Sequence, residues 1–307
     1  MRILVLGGTG FIGRQLVGKL CAAGHAVTVP TRSYARGREL AVFPTATVLP
    51  ADIHDPDTLD RLLAGHQAVI NLVGILHSRR GAPYGPDFER AHVQLPRLIA
   101  QGARRHGVAR LLHVSALGAS ASAPSMYLRS KADGEAAIRG AYPGAPDTLA
   151  GSYTLFRPSV VFGPQDNFLN MFARLARWLP VLPLGGASSR LQPVHVDDVA
   201  RAITAALTLP SAAGATYELA GPEVYTLGEL VALAARASGH PRWVVPMPDA
   251  IARLQATFFE MLPGEPLLSR DNLDSLKVDN VSATGIAPEL GVVPTSLSTV
   301  ADKYLRR

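Results

Sequence analysis

The chain has 307 residues, of which 48% are hydrophobic and 18% charged, so an ordered globular fold is expected rather than disorder. Its formal net charge is +6, and the excess sits in the first 150 residues, which carry 17 basic and 10 acidic side chains. The basic residues are scattered and lack interleaved aromatics, so a bound polyphosphate explains the excess with fewer assumptions than a nucleic acid. A single cysteine, Cys21, excludes an intrachain disulfide and suggests a reducing compartment. No uncharged run is long enough to span a bilayer, and because strand residues begin at Ile3 no leader is expected.

Strand and helix patterns alternate along the first half. Arg2–Leu6 reads as a strand, and Phe11–Ala23 as a helix with apolar residues at Ile12, Leu16, Val17 and Leu20. Strands follow at Ala26–Pro30, Ala46–Leu49, Ala68–Val73, Arg110–Ser115 and Tyr153–Phe162. Helices are predicted at Asp57–Ala64, Phe88–His106 and Tyr127–Ala141. This order implies an α/β fold, a doubly wound, mostly parallel Rossmann-type sheet with helices on both faces. Ala119–Ser125 reads as a small-residue loop and Tyr142–Gly151 as a turn region. Beyond it, helices at Asn167–Arg177, Val199–Leu207, Leu227–Ser238 and Pro248–Leu262 alternate with short strands at Pro193–Val196, Thr216–Ala220 and Trp243–Val245. Residues 1–163 with about 192–220 are assigned to the nucleotide-binding domain. Residues 164–191 and 221–307 are assigned to a small C-terminal α/β lobe over the carboxyl ends of the strands.

The strongest motif is Gly7-Gly8-Thr9-Gly10-Phe11-Ile12-Gly13, between the first strand and the first helix. Glycines there permit a tight turn and close approach of a pyrophosphate, and the helix N-terminus supplies free N–H groups. Gly7, Thr9, Gly10, Phe11, Ile12 and Gly13 are therefore candidate cofactor contacts. The second strand ends in Thr31-Arg32-Ser33, with Arg36 and Arg38 behind it and no carboxylate before Glu39. An arginine fork matches a 2′-phosphate, which favours NADP(H), with NAD(H) the alternative. Asp52 and Ile53 are candidates for the adenine; Asp52, Asp55 or Asp57 can equally cap a helix.

Tyr127-Leu128-Arg129-Ser130-Lys131 places a phenol and an ammonium on one helical face. A nearby ammonium lowers a phenol's pKa, and such a tyrosine can exchange a proton with a carbonyl or hydroxyl. Tyr127 and Lys131 are the candidate catalytic residues. No metal site is expected: His195 with Asp197 and Asp198 fits no zinc spacing and reads as a strand–helix junction. Arg190, Gln192 and Tyr225 are candidate pocket residues of the lobe. The apolar face of Pro248–Leu262 serves either the lobe's core or a partner or membrane surface.

Taken in order, Gly7–Gly13, Asn71–Gly74, Tyr127–Lys131, Arg157–Pro164 and Gln192–Ala200 resemble the short-chain dehydrogenase/reductase superfamily in its extended or atypical, epimerase/dehydratase-like branch. Phe162-Gly163-Pro164-Gln165-Asp166-Asn167-Phe168 and Gly221–Thr226 are similar to the subgroup of the nucleotide-binding accessory subunit of respiratory complex I. The resemblance implies an NADP(H) pocket in which Leu72, Val73 and Gly74 pass beside the cofactor. It places the nicotinamide near Tyr127, Lys131 and the backbone of Pro158, Val160 and Val161. It also implies a cytoplasmic protein, peripheral to the inner membrane if it serves a respiratory complex, with a protein partner on the C-terminal lobe. Active relatives carry a hydroxyl residue two places beyond Ser115, where this chain has Leu117. The resemblance therefore implies weak or absent turnover, with Ser115, Ser120, Ser122 or Ser125 the remaining hydroxyls for that role. The alternative is an active oxidoreductase or epimerase using Tyr127 and Lys131.

Overall fold

The computed structural model describes residues 1–142, 149–264 and 266–306; most of the predicted turn region at Tyr142–Gly151 lies outside the described residues. In chain order the first half runs β1 (Arg2–Leu6), α1 (Phe11–Ala22), β2 (Ala26–Thr31), α2 (Tyr34–Gly37), β3 (Ala46–Pro50), α3 (Pro56–Leu63), β4 (Ala68–Asn71), α4 (Pro86–Phe88), α5 (Leu95–Arg105), β5 (Arg110–Val114) and α6 (Met126–Ala141). The second half runs β6 (Ser152–Pro158), β7 (Val161–Phe162), α7 (Leu169–Trp178), β8 (Val181–Gly185), β9 (Arg190–Leu191), β10 (Val194–His195), α8 (Val196–Ala206), β11 (Thr216–Leu219), β12 (Tyr225–Thr226), α9 (Leu227–Ala237), β13 (Trp243–Met247), α10 (Asp249–Met261), α11 (Arg270–Ser275) and α12 (Leu297–Leu305).

Seven strands form one wholly parallel sheet in the order β11-β6-β5-β4-β1-β2-β3. Alternate side chains leave the sheet on opposite faces, and both faces of the central strands β1, β4 and β5 are buried, which is why those strands read as continuous apolar runs. Ile3, Val5, Val27, Val29, Ile70, Leu112, Val114 and Phe156 meet α1 and α8 on one side. Leu4, Leu6, Val69, Leu111 and Leu155 meet α3, α5 and α6 on the other. A second core joins α7, α9 and α12 around Leu230, Val231 and Ala234.

Two predicted elements differ from the structure. The long helix from Phe88 is not uniform: Glu89–Gln94 is a π-helical stretch between α4 and α5. Pro96, near the start of α5, has no N–H to continue a regular ladder. Close packing on α6 accompanies this widening, since a Cβ on Gly134 would stand 2.0 Å from the carbonyl oxygen of His92. The strand predicted over Tyr153–Phe162 breaks at Ser159 and Val160, and β7 pairs with β10 outside the main sheet. There the amide of Val160 bonds the side chain of Asn280 instead of a neighbouring strand.

The β1–α1 connection is tightly packed. A Cβ on Gly13 would stand 2.5 Å from the carbonyl oxygens of both Gly7 and Gly8. Gly13→Ala should therefore force helix and strand apart and cost about 2–3 kcal/mol. Thermal or denaturant unfolding measures this, and a variant as stable as wild type would contradict the packing.

Candidate functional site

The turn after β1 is built for an anion. Gly7 adopts a left-handed conformation, with φ of 81°, that only glycine holds cheaply. Its backbone presses on the end of β4, where an added Cβ would lie 3.2 Å from Leu72 and Val73. Gly10 is the N-cap of α1, is exposed, and makes no side-chain cap. The first turn of α1 contains no acidic residue. The helix thus presents uncapped N–H groups and the positive end of its dipole across an open glycine, a fitting cradle for a pyrophosphate. Phe11, at the start of α1, lies against Gly163, and Arg14 donates to the carbonyl oxygen of Thr9 (3.1 Å) and to Gln165 (3.0 Å). Asp166, which no motif announces, is buried. It holds the turn by accepting from the amides of Gly163 (3.1 Å) and Asn170 (3.2 Å).

At the end of β2, Thr31 is buried and Arg32, Arg36 and Arg38 are exposed. Glu39, the nearest carboxylate, is engaged by Arg14 at 3.1 Å. Gly37 in α2 sits close to Thr9, so the arginine-bearing turn borders the glycine loop. Asp52 is exposed and accepts from the amide of His54 (3.0 Å), making a turn cap, with Ile53 half-buried beside it. Asp55 is the residue that caps α3, through Thr58 at 3.0 Å.

Around α6 the structure gathers a buried polar cluster. Lys131 is 3% exposed, and its Nζ donates to the carbonyl oxygen of Val114 (3.2 Å). Gly74 lies directly above, since an added Cβ would stand 3.2 Å from that Nζ. Asn71 Oδ1 accepts from the amide of Val73, and Asn71 Nδ2 donates to His113 Nδ1 at 3.0 Å. That assigns the proton of His113 to Nε2, which is buried and, like Ser115 Oγ, has no hydrogen-bond partner among the described residues. The orphaned Ser115 hydroxyl keeps it in the candidate set. Ser125 caps α6 at Leu128, and Ser120 and Ser122 are exposed and bonded to each other, so none of these three replaces the hydroxyl missing at Leu117.

His92, in the π-helical stretch, ties the cluster together. Its Nε2 accepts from the amide of Ile75 (3.1 Å), and its Nδ1 contacts Ser130 Oγ (2.8 Å), which donates to the carbonyl oxygen of Tyr127. Burial and the neighbouring Lys131 keep His92 neutral by lowering its pKa well below the usual imidazole value. Phe88 and His92 pack edge-on against the Tyr127 ring.

The expectation that Lys131 lowers the phenol's pKa is corrected here. Burial dominates and pushes Tyr127 up to about 12. The ammonium lies 5.9 Å from the ring centroid. Burial also depresses Lys131 to about 8, only partly opposed by Glu135. Pro158 and Val161 flank the break after β6, and the amide of Val160 donates to Asn280 Oδ1 (3.1 Å). The proposed lobe pocket is also internally bonded. Gln192 spans Gly221 and Ser282, Tyr225 donates to Glu223, and Arg190 pairs with Asp279. His195 ends β10 as the N-cap of α8, Asp197 pairs with Lys19 and Arg201, and Asp198 accepts from Thr295. Among the described residues no group of three or more potential ligands could hold a metal.

A base whose pKa falls on folding destabilises the fold while charged, and the cost is relieved as pH rises from about 8 toward the ordinary 10.5. Lys131→Met should therefore stabilise the nucleotide-free protein near neutral pH by about 1–3 kcal/mol. The gain should shrink between those pH values. Denaturant melts across pH check this, and a loss of stability at neutral pH would contradict it.

Comparison with known proteins shows the family of the chain. The chain is 34% identical over 311 residues to NADH dehydrogenase (ubiquinone) 1 alpha subcomplex subunit 9, mitochondrial, of Mus musculus, covering 99% of this chain and 79% of the relative. It is 31% identical over 250 residues to ceramide reductase of Caulobacter vibrioides, covering 80% and 74% respectively. A solved UDP-glucuronic acid 4-epimerase from Bacillus cereus, in complex with UDP-glucuronic acid and NAD, superposes with a TM-score of 0.73 at 18% identity, over 99% of this chain and 98% of that one, a likeness of fold. The profile of the NAD dependent epimerase/dehydratase family matches residues 3–228, and the chain belongs to that family.

Proposed function

We propose that this protein binds NADP(H) and is weakly active or non-catalytic, serving the assembly or stability of a respiratory NADH:quinone oxidoreductase-type complex. The observation that carries nucleotide binding is the uncapped N-terminus of α1 behind an exposed Gly10. Gly7, Thr9, Gly10, Phe11, Ile12 and Gly13 would hold the pyrophosphate, and Arg32 with Arg36 a 2′-phosphate. Asp52 and Ile53 would border the adenine. Leu72, Val73 and Gly74 would line the ribose side, where Lys131 would anchor a hydroxyl. Pro158, Val160 and Val161 would wall the nicotinamide end. The solved epimerase is described with NAD, and the preference for NADP(H) rests on the exposed arginines and on the engagement of Glu39 by Arg14.

Weak turnover is supported by Leu117, which is 4% exposed at the position where a substrate-orienting hydroxyl is expected. The mouse relative's name places that protein among the subunits of a respiratory NADH dehydrogenase. A matching role here calls for a partner surface, and the face of α10 offers one. Leu254 and Met261 are 72% and 80% exposed. Among the described residues no helix is long and apolar enough to cross a membrane. We place the protein in the cytoplasm, peripheral to the inner membrane. We assign residues 1–163 and about 192–220 to the nucleotide-binding unit, and 164–191 and 221–307 to the lobe that meets the partner.

A second reading is an active NADP-dependent oxidoreductase or epimerase, favoured by the Tyr127–Lys131 pair and by the ceramide reductase relative. A bound nicotinamide would supply hydride exchange. Tyr127 would give or take the proton on the substrate oxygen, Lys131 would hold charge beside it, and Ser115 would orient that oxygen.

Two experiments separate these readings. Arg32→Ala should weaken NADPH binding roughly 10- to 100-fold, the loss of one charge-assisted contact, and leave NADH almost unchanged. Equal wild-type affinity for both nucleotides would contradict the NADP(H) assignment. In single-turnover absorbance with a panel of quinones, ketones and aldehydes, NADPH oxidation should be slow or undetectable, and Tyr127→Phe should bind NADPH normally. Rapid oxidation abolished by Tyr127→Phe would establish the enzyme instead.

A further inference from the structure

The stretch from α11 onward reaches back to the nicotinamide end of the cleft through side chains that no motif announces. Asp271 is 7% exposed and accepts from the amides of Met126 (2.6 Å) and Tyr127 (3.0 Å). Ser125 takes the amide of Leu128. The amides of Met126, Tyr127 and Leu128 in the first turn of α6 are therefore satisfied, in contrast to the open first turn of α1.

Asn280 makes a second connection. Its Oδ1 accepts from Ser159 Oγ (2.6 Å) and from the amide of Val160 (3.1 Å), and its Nδ2 donates to the carbonyl oxygen of Leu117 (3.2 Å). Its own backbone is fixed on both sides, the amide to Arg190 (2.9 Å) and the carbonyl oxygen to the amide of Gln192 (3.0 Å). Val278 lies beside Gly118. One side chain thus bridges the carboxyl ends of β5 and β6, where ligands of doubly wound sheets lie. The Rossmann elements alone satisfy neither the start of the Tyr127 helix nor the amide of Val160.

We propose that residues 269–282 form a clasp over the nicotinamide end of the nucleotide site, with Asp271 and Asn280 as positioning residues. Closing the clasp and binding the nucleotide stabilise each other. This rests on the nucleotide-binding reading above. Asp271 sets where α6 begins, and so where Tyr127 and, one turn later, Lys131 stand. Asn280 sets the spacing between Leu117 and Val160. A ligand that needs both placements binds the closed form better, and by reciprocity its presence holds the clasp closed. The clasp is also bound to the exposed helix of the lobe, through Arg270 with Glu260 and Asp274 with Arg253, each at 2.5 Å. Nucleotide occupancy is in this way coupled to the placement of α10.

Hydrogen exchange on the full-length protein with and without saturating NADPH tests the coupling. Amides of 269–282 should exchange more slowly when NADPH is bound. Asn280→Ala should weaken NADPH roughly 5- to 20-fold and abolish that added protection. Asp198→Asn, which loosens a buried carboxylate bonded to Thr295 away from the clasp, should lower the melting temperature yet keep NADPH affinity within about twofold. Unchanged exchange in 269–282, or an Asn280→Ala variant with wild-type affinity, would overturn the clasp while leaving nucleotide binding intact. Should Asn280→Ala fail to fold, the wild-type exchange pattern decides alone. A wild-type protein that binds neither NADPH nor NADH would overturn both readings together.

Discussion

The contact on which the rest of the site depends is the approach of α1 to the β1 turn at Gly13. A Cβ there would stand 2.5 Å from two carbonyl oxygens, so only glycine lets the helix start where it does. That start aims an uncapped helix N-terminus across Gly10 into the cleft at the carboxyl ends of the strands. Gly7 makes the second close approach, onto Leu72 and Val73, which brings the β4 loop and Gly74 over Lys131. Two backbone approaches thus connect the phosphate end of the cleft to the Tyr127–Lys131 end. The polarity of the cleft follows from its helix termini. The start of α1 is open to an anion, and the start of α6 is filled by Asp271 and Ser125.

Lys131 shows what this arrangement costs in stability. An ammonium 3% exposed, with the carbonyl oxygen of Val114 as its hydrogen-bond acceptor, is costly to bury. The two imidazoles beside it stay neutral, so they add no further charge, and His92 spends its hydrogen bonds joining Ile75 to Ser130. The orphaned His113 Nε2 and Ser115 Oγ add to the strain of the cluster. A fold selected for stability alone would place an apolar side chain at 131. The retained lysine is consistent with a ligand whose hydroxyl or phosphate oxygens would offset the cost.

Much of this was legible in the sequence because it depends on local pattern. Alternating strand and helix signals implied the parallel sheet, and the glycine spacing together with Tyr127 and Lys131 singled out two clusters near the carboxyl ends of the strands. What escaped depends on contacts between distant residues. Asp271 looks like any polar residue in a short helix, yet it caps a helix 145 residues earlier. Asn280 fills the Val160 amide from 120 residues away. The π-helical turn at His92 answers to the packing of Gly134, which no periodicity reveals. The phenol's pKa differs from the expectation because spacing on a helix shows that Lys131 is near, while burial, which outweighs it, comes from packing with Phe88 and His92 on the neighbouring helical segment.

The central claim is that the cleft is a nucleotide holder with a 2′-phosphate at its arginine end. The most direct measurement is the nucleotide carried by the protein itself, released by denaturing the purified full-length chain and identified by chromatography and mass. The account predicts NADP(H) in near-equimolar amount, either as isolated or after incubation with NADPH and removal of the excess. Release of NAD(H), or of no nucleotide even after that incubation, would contradict it.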